Sequence, residues 1–186
     1  MSSFLKNFIN CEIIRVEKML KENDLLAKLD NSKLVYKLHK HQALFTVADS
    51  LKKRGEISGA HSKNLFLKNK KNNYFLFSCL ESTKVELKKI AKSLNLRNIS
   101  FAKEAALQEY LGVVPGSVTP YGLLNDVDNK VEFYLDSGFL SYKTINFHPL
   151  DNTSTLNLSV KNFINFLVEN KKKVNIFDFN NYSLKE

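Results

Sequence analysis

Three polar segments of the chain combine residue types that could position a phosphate or a carbonyl group. The first is Lys63-Asn64, at the head of the apolar run 65–67. The second is 116–120, Gly-Ser-Val-Thr-Pro, and the third is 147–152, Phe-His-Pro-Leu-Asp-Asn. Lysine and asparagine can bind phosphate and carbonyl oxygens, and a Gly/Pro loop leaves its backbone groups unobstructed. Each segment also has an ordinary explanation, as a strand end, a surface loop or a turn.

The other reactive residue types form no catalytic or metal-binding pattern. The chain has no Gly-x-Ser-x-Gly motif, and Cys79, which ends an apolar strand, is interpreted as a core cysteine. His39 and His41 would share one face of a strand, but no third ligand stands at useful spacing. We interpret them as exposed strand-end histidines. Because a Walker loop and a dinucleotide fingerprint are also missing from the sequence, we predict no metal and no cofactor.

The composition is that of a soluble globular protein with an excess of positive charge. Hydrophobic residues make up 44% of the 186 residues, charged ones 25%, and the net charge is +9. Such an excess attracts polyanions, most often nucleic acid. The two cysteines are far apart, and the chain has neither an apolar run long enough for a membrane nor a signal-peptide pattern. We predict a cytoplasmic protein.

The apolar spacing predicts one α/β domain, in which a mixed central β-sheet is flanked by helices. Strands are expected at 34–38, 65–67, 74–79, 99–101, 131–136, 145–148 and 174–178. Helices are expected at 3–29, 46–53, 83–94, 103–111 and 160–170. The first has breaks near Asn10 and 23–24, the third begins with a capping box at 83–86, and the last is capped by Ser159. The strands at 65–67 and 74–79 form a hairpin with Lys63 and Asn64 at its far end, where the first strand leaves the core.

In combination, the three segments resemble the YbaK family, the free-standing relatives of the editing insertion domain of bacterial prolyl-tRNA synthetases. The matching text is 59–68 (GAHSKNLFLK), 111–120 (LGVVPGSVTP) with 122–126 (GLLND), and 146–152 (NFHPLDN). The segment 41–47 is similar to the family's His-x-x-x-Phe-Thr sequence. Since the resemblance begins near residue 20, we divide the chain into an N-terminal helical extension, 1–20, and an editing domain, 21–186.

The resemblance implies hydrolysis of the ester that joins a wrong amino acid to the 3′ end of a tRNA. The family uses no metal and no protein nucleophile, because a vicinal hydroxyl of the terminal adenosine helps to activate the attacking water. Lys63 would bind the terminal phosphate or ribose, and Asn64 and His148 would fix the aminoacyl group. The predicted catalytic residues are Lys63, Asn64 and His148, and the predicted substrate-binding residues are Gly116, Ser117, Thr119, Pro120 and Phe147.

Asn64 directs the expected choice of substrate. Family members that remove cysteine from the tRNA for proline resemble Lys-Thr-Leu at this strand, and those that remove alanine resemble Lys-Asn-Leu-Phe-Leu-Lys, the sequence of 63–68. Alanine and proline are close in size, so the binding pocket of the synthetase cannot exclude alanine by size. A second site that hydrolyses the wrongly formed alanyl ester corrects the error. The resemblance implies a monomeric trans-editing deacylase for Ala-tRNA(Pro), with this tRNA as partner and prolyl-tRNA synthetase as a further candidate partner. A Cys-tRNA(Pro) deacylase and a non-catalytic tRNA- or synthetase-binding module remain the alternatives.

Overall fold

The computed structural model describes residues 19–43 and 57–185 of the chain. The predicted helix at 46–53 lies outside these residues, and so do residues 1–18 of the predicted N-terminal extension. Met19 and Leu20 are described, and they contact the domain. The side chain of Met19 is buried, and the Leu20 N–H donates to Asn125 Oδ1 at 2.7 Å.

The described chain forms a mixed β-sheet with flanking helices, as predicted. Its strands are β1 (Tyr36–Lys40), β2 (Ala60–Lys68), β3 (Tyr74–Leu80), β4 (Ser100–Phe101), β5 (Val131–Asp136), β6 (Thr144–Phe147), β7 (Ser154–Ser159), β8 (Asn175–Asp178) and β9 (Ser183–Leu184). Its α-helices are α1 (Glu22–Asn31), α2 (Leu87–Ser93), α3 (Glu104–Ala106) and α4 (Val160–Glu169). A π-helical turn, Leu107–Leu111, continues α3, and 3-10 turns span Pro120–Asn125 and Ser137–Ser141.

The strand β2 lies near the middle of the sheet, whose order is β1-β7-β6-β2-β3-β5-β8-β9. It pairs antiparallel with β3 and parallel with β6, and its last two residues also pair with β4. The β2–β3 hairpin confirms the prediction. Because a strand with partners on both sides has a fixed register, the direction of each β2 side chain is fixed as well.

Two hydrophobic clusters cover the two faces of the sheet. Phe66 of β2 faces the larger cluster, which also contains Leu25 and Leu29 of α1. The next residue, Leu67, faces a smaller cluster that includes Phe77 and Ile90. This division follows from the alternation of side chains along a strand, which sends neighbouring residues to opposite faces.

The strand β7 was not predicted. It lies between β1 and β6, and five of its six residues are buried. Leu156 and Leu158 face the larger cluster, whereas Thr155 and Asn157 between them point to the opposite face. Polar residues are uncommon in a strand covered on both faces, so the sequence gives little sign of this one.

Two predicted helix signals act differently in the structure. The polar pair at 23–24 lies in the first turn of α1 instead of breaking a helix, since Asp24 accepts a hydrogen bond from the Lys21 N–H at 2.8 Å. The predicted capping box at 83–86 does not form, because the residue before α2, Glu86, makes no side-chain cap. The predicted Ser159 cap is confirmed by its bond from the Asn162 N–H, at 3.1 Å.

Tyr121 supplies a stability test of the core. Its side chain is fully buried among aromatic rings, and its hydroxyl has no hydrogen-bond partner among the described residues. An unsatisfied buried hydroxyl costs about 1 kcal/mol or more, so we expect Tyr121→Phe to raise the free energy of unfolding by about that amount. Tyr134→Phe is the control, because the Tyr134 hydroxyl donates to Glu132 at 2.8 Å and its loss should not stabilise. Urea unfolding measures both, and a less stable Tyr121→Phe protein would contradict the assignment.

Candidate functional site

Lys63 and Asn64 lie inside β2 and not at its end. Lys63 is paired with Cys79 and Asn64 with Ser78, near the open end of the β2–β3 hairpin. The prediction that the two residues mark the point where the strand leaves the core is therefore wrong, because the strand begins at Ala60. Alternation along the strand sends the two side chains to opposite faces of the sheet, so they cannot act as one adjacent pair.

The Lys63 ammonium is held by backbone carbonyl groups of the turn that follows β3. Its Nζ donates to the carbonyl oxygen of Glu81 at 3.1 Å and to that of Thr83. The side chain is half-buried. Since an ammonium has three N–H donors, one remains beyond these two bonds for an anionic or hydroxyl group.

Asp136, at the end of β5, fixes the turn that holds Lys63. One carboxylate oxygen accepts from the Thr83 hydroxyl at 2.7 Å and from the Leu80 N–H at 3.2 Å, and the other accepts from the Gly138 N–H at 2.8 Å. The residue is buried, so these donors replace the water that its charge has lost. Asp136 was not among the predicted site residues. An Asp-Ser-Gly sequence after a strand signals a local turn, but it does not reveal the contact with Thr83.

The Asn64 side chain joins β2 to the Gly/Pro loop. Its Nδ2 donates to the Val118 carbonyl at 2.9 Å, and its Oδ1 accepts from the Ser78 hydroxyl at 2.6 Å. Both ends of the amide are thus engaged within the protein. The amide therefore ties the loop at 112–120 to β2 at Val118.

The Gly/Pro loop contains four of the predicted substrate-binding residues. Gly116 is exposed and has a φ of +87°, in a turn closed by the bond from the Ser117 N–H to the Val114 carbonyl at 3.0 Å. Such a turn needs a residue with positive φ, which glycine supplies at little cost. Ser117, Thr119 and Pro120 are buried, and Thr119 caps the 3-10 turn that begins at Pro120. Gly116 therefore presents backbone to solvent, whereas the other three shape the loop.

His148 follows β6 on the same side of the sheet as Lys63. The last pair between β2 and β6 joins His61 to Asn146, and each chain runs two residues further to reach Lys63 and His148. His148 Nδ1 lies 2.9 Å from the Ser154 carbonyl, to which it donates as an N–H, so Nε2 is the acceptor nitrogen of the neutral ring. Burial lowers the pKa of His148 below its ordinary value.

Phe147 lies in the larger core and not on the surface. Its ring is 4.8 Å from that of Phe163 and 6.0 Å from that of Phe139, measured between centroids, and the residue is 2% exposed. Its predicted role in substrate binding stays a prediction, and the described side chain is placed to anchor β6 behind His148.

A row of polar side chains that was not predicted crosses the Lys63 face of the sheet. Asn146 and Asn157 each donate to the Ser58 carbonyl at 3.0 Å, which fixes the chain as it enters β2. Beyond them, His41 Nε2 lies 2.8 Å from Thr155 Oγ1. The rings of His41 and His148 are 6.0 Å apart. His41 is the first residue of the segment 41–47 that resembles the family, while Phe45 and Thr46 lie outside the described residues.

The structure also locates the other reactive residues. Cys79 is fully buried as predicted, and burial raises the pKa of its thiol to about 12, which makes a thiolate nucleophile unfavourable. Within residues 19–43 and 57–185, no cluster of three His, Cys, Asp or Glu residues could hold a metal ion. No helix in these same ranges is both long and apolar enough to cross a membrane.

Comparison with known proteins finds relatives over most of the chain. Residues 41–166 match the family model described as an aminoacyl-tRNA editing domain. The prolyl-tRNA synthetase associated domain-containing protein 1 of Bos taurus is 41% identical over 132 residues, which cover 68% of this chain and 77% of that protein. The prolyl-tRNA editing protein ProX of Acetoanaerobium sticklandii is 34% identical over 136 residues, which cover 73% of this chain and 83% of ProX.

Solved structures share the fold. A candidate trans-editing enzyme for prolyl tRNA synthetase superposes with a TM-score of 0.62 at 19% identity, over 89% of this chain and 96% of the other. The hypothetical protein APE2540 gives a TM-score of 0.63 at 15% identity, over 87% and 99% of the two chains. At these identities the likeness concerns the fold alone, and it confirms the predicted mixed sheet with flanking helices.

The buried imidazole of His148 gives the folded protein a measurable pH dependence. Because its pKa is lowered, the unfolded chain takes up a proton first as the pH falls below about 6.5, and stability is lost between that pH and the folded-state pKa. We expect an NMR titration of the ring protons to give a pKa below 6.5, and His148→Asn to reduce the loss of stability between pH 7.5 and 5. His39→Asn is the control. A pKa at or above 6.5 would contradict the assignment.

Proposed function

Because the chain belongs to the aminoacyl-tRNA editing domain family, we propose that it is a trans-editing deacylase that removes alanine from mischarged tRNA for proline. The observation that carries the proposal is the carbonyl-bound ammonium of Lys63, with one donor left for an anionic end of a ligand. The names of the relatives, which refer to prolyl-tRNA and its synthetase, support this choice of tRNA. Tightly buried Cys79 is a poor nucleophile, which favours direct attack by water.

The reaction is the hydrolysis of an ester. A water oxygen attacks the carbonyl carbon, the bond from that carbon to the ribose oxygen breaks, and the ribose oxygen takes a proton, which leaves free alanine and uncharged tRNA. A vicinal hydroxyl of the terminal adenosine assists the water, so the protein has chiefly to hold the ester in place. Positioning of this kind accounts for on the order of several kcal/mol of barrier reduction.

Lys63 and His148 bind different parts of the substrate in this proposal. The remaining Lys63 donor binds the terminal phosphate or a ribose oxygen. The Nε2 lone pair of neutral His148 accepts a hydrogen bond from the α-ammonium of the aminoacyl group, because its Nδ1 is occupied by Ser154. Gly116, exposed at its turn, would offer backbone groups to the aminoacyl group from the loop that Asn64 holds, and not from the Lys63 face of the sheet.

Asn64 sets the shape of the aminoacyl pocket through the loop that it holds. Its amide spans the gap between Ser78 and the Val118 carbonyl by accepting from one and donating to the other. A threonine, the residue of the cysteine-removing branch, has a shorter side chain with a single hydroxyl, so it cannot reproduce both bonds at the same reach. With threonine at position 64, the loop at 112–120 would take a different position over the substrate. This supports alanine as the amino acid that the chain removes.

The decisive assay follows ester loss from the tRNA for proline charged with alanine, cysteine or proline. Rapid hydrolysis of the alanyl ester alone is the expected result. Preferential loss of cysteine would identify the chain as a Cys-tRNA(Pro) deacylase. Binding of all three without turnover would identify a non-catalytic module, and either result would overturn the proposal.

Replacement of Lys63 tests the catalytic assignment. Lys63→Ala removes the ammonium that meets the substrate, and we expect the rate of Ala-tRNA(Pro) deacylation to fall by about a hundredfold or more. The measurement is single-turnover deacylation, with circular dichroism to confirm folding. Lys37→Ala, an exposed position on β1, is the matched control and should keep the full rate. A folded Lys63→Ala protein with the wild-type rate would refute the assignment.

Replacement of Asn64 tests the substrate preference. Asn64→Thr should lower the rate on Ala-tRNA(Pro) by about tenfold and raise the ratio of cysteine to alanine removal, because the bond to Val118 is lost. Ser78→Ala is the control, since it removes only the second bond of the Asn64 amide and leaves the loop contact. We expect a smaller effect from it. An unchanged ratio in Asn64→Thr would mean that the loop position does not select the amino acid.

A further inference from the structure

We propose that the solvent-facing side of α2, together with the hairpin turn between β2 and β3, binds the phosphate backbone of the base-paired stem of the tRNA. We call this surface the α2 basic face. It comprises Lys88 and Lys92 of α2, Lys84 and Arg97 in the segments that flank the helix, and Lys70 and Lys71 of the hairpin turn, all of which are exposed. The inference rests on the proposed function, because it states where the tRNA body lies when its 3′ end is at Lys63.

The helix α2 has one apolar and one basic side. Ile90 is fully buried in the smaller cluster, and Leu87 and Leu94 pack against that cluster. Lys88 and Lys92, four residues apart, are both exposed. Residues at this spacing lie above one another on a helix, so the two ammonium groups share the side that faces away from the sheet.

The α2 basic face adjoins the candidate site. The helix begins at Leu87, four residues after Thr83, whose carbonyl holds the Lys63 ammonium. It is about 10 Å long, from seven residues at 1.5 Å each. The chain then reaches β4, where Ser100 pairs with Lys68 beside the hairpin turn. Lys68 lies about 17 Å along β2 from Lys63, at about 3.3 Å per residue.

Most of the positive charge on this face is not neutralised. Between 82 and 100 the chain carries five basic residues and one acidic residue, Glu86. Glu86 pairs with Lys89 at 2.6 Å, whereas Lys88, Lys92 and Arg97 form no ion pair with any residue in the described ranges. A free cationic surface of this extent can exchange its counterions for phosphates.

Three other lysines of the described chain are less available to a ligand. Lys40 pairs with Glu22, and Lys185 lies 3.6 Å from Asp178. Lys172 is buried and donates to the Asp126 carbonyl at 2.5 Å. These contacts reduce the charge that each of the three presents to a ligand. Other lysines, such as Lys143 and Lys161, are exposed, and the α2 basic face is preferred to them because it follows the turn that binds the Lys63 ammonium.

The geometry of an aminoacylated tRNA explains why a basic surface should lie next to Lys63. Only the last nucleotides of the 3′ end are unpaired, so an ester placed at Lys63 brings the base-paired stem onto the neighbouring surface. In A-form RNA the phosphates and 2′-hydroxyls are more accessible to protein side chains than the base edges of the major groove. Exposed lysines along a helix suit such a ligand, since they follow a backbone without requiring a base sequence.

The test compares two double variants in their binding of uncharged tRNA for proline. Lys88→Ala with Lys92→Ala should weaken binding on the order of tenfold at physiological salt and reduce the salt-dependence slope by about 2, one for each lost phosphate contact. Lys143→Ala with Lys161→Ala is the matched control, because these two lysines are exposed near the start of β6 and of α4. Their removal should leave the slope unchanged. An equal loss in both variants, or none in the first, would overturn the proposal.

A second measurement separates this inference from the proposed function. The ratio of kcat/KM for Ala-tRNA(Pro) to kcat/KM for the alanyl ester of adenosine should fall in the Lys88/Lys92 variant and stay constant in the control variant. A wild-type protein that hydrolyses neither substrate contradicts the proposed function, while its tRNA affinity still tests the surface. A constant ratio in the Lys88/Lys92 variant would contradict the surface even if the enzyme is active.

Discussion

The pairing of β2 with strands on both sides is the constraint on which the candidate site depends. It fixes the register, and the alternation of side chains then commits Lys63 to one face and Asn64 to the other. A shift of one residue would place the lysine against the larger hydrophobic cluster, where an unpaired charge is costly. The structure therefore orients the two residues that the family resemblance singles out through the β2–β3 ladder, in which Lys63 pairs with Cys79 and Asn64 with Ser78.

Each of these two side chains organises a different irregular segment. The Lys63 ammonium donates to the turn after β3, and Asp136 fixes this turn by accepting from Thr83. The Asn64 amide donates to the Gly/Pro loop at Val118. Because turns and loops take their positions from such contacts, rigid strands can present a precise site built largely from irregular backbone. The arrangement suits a reaction in which orientation matters more than proton transfer by the protein.

Electrostatics separates the interior of the site from its surroundings. Inside, burial lowers the pKa of His148 and raises that of Cys79, so both groups stay neutral near pH 7. Outside the site, the excess positive charge of the chain, +9 in total, lies on exposed lysines such as those of α2. A neutral acceptor beside a cationic rim fits a ligand that has an aminoacyl end and a polyanionic body.

The α/β class can be predicted from the sequence alone, and so can the β2–β3 hairpin, the Ser159-capped helix and the buried Cys79, because local apolar spacing and capping govern these features. Its motifs also identified the family, together with the loops that contain Gly116 and His148. Three other features emerge only in the folded chain: Lys63 and Asn64 face opposite ways from within a strand, Asp136 supports the lysine, and Phe147 belongs to the core. These facts depend on which strands become neighbours, and partners such as Asp136 and Lys63 are separated by many residues in the chain. Pairing over such distances leaves no periodic signal in a single sequence.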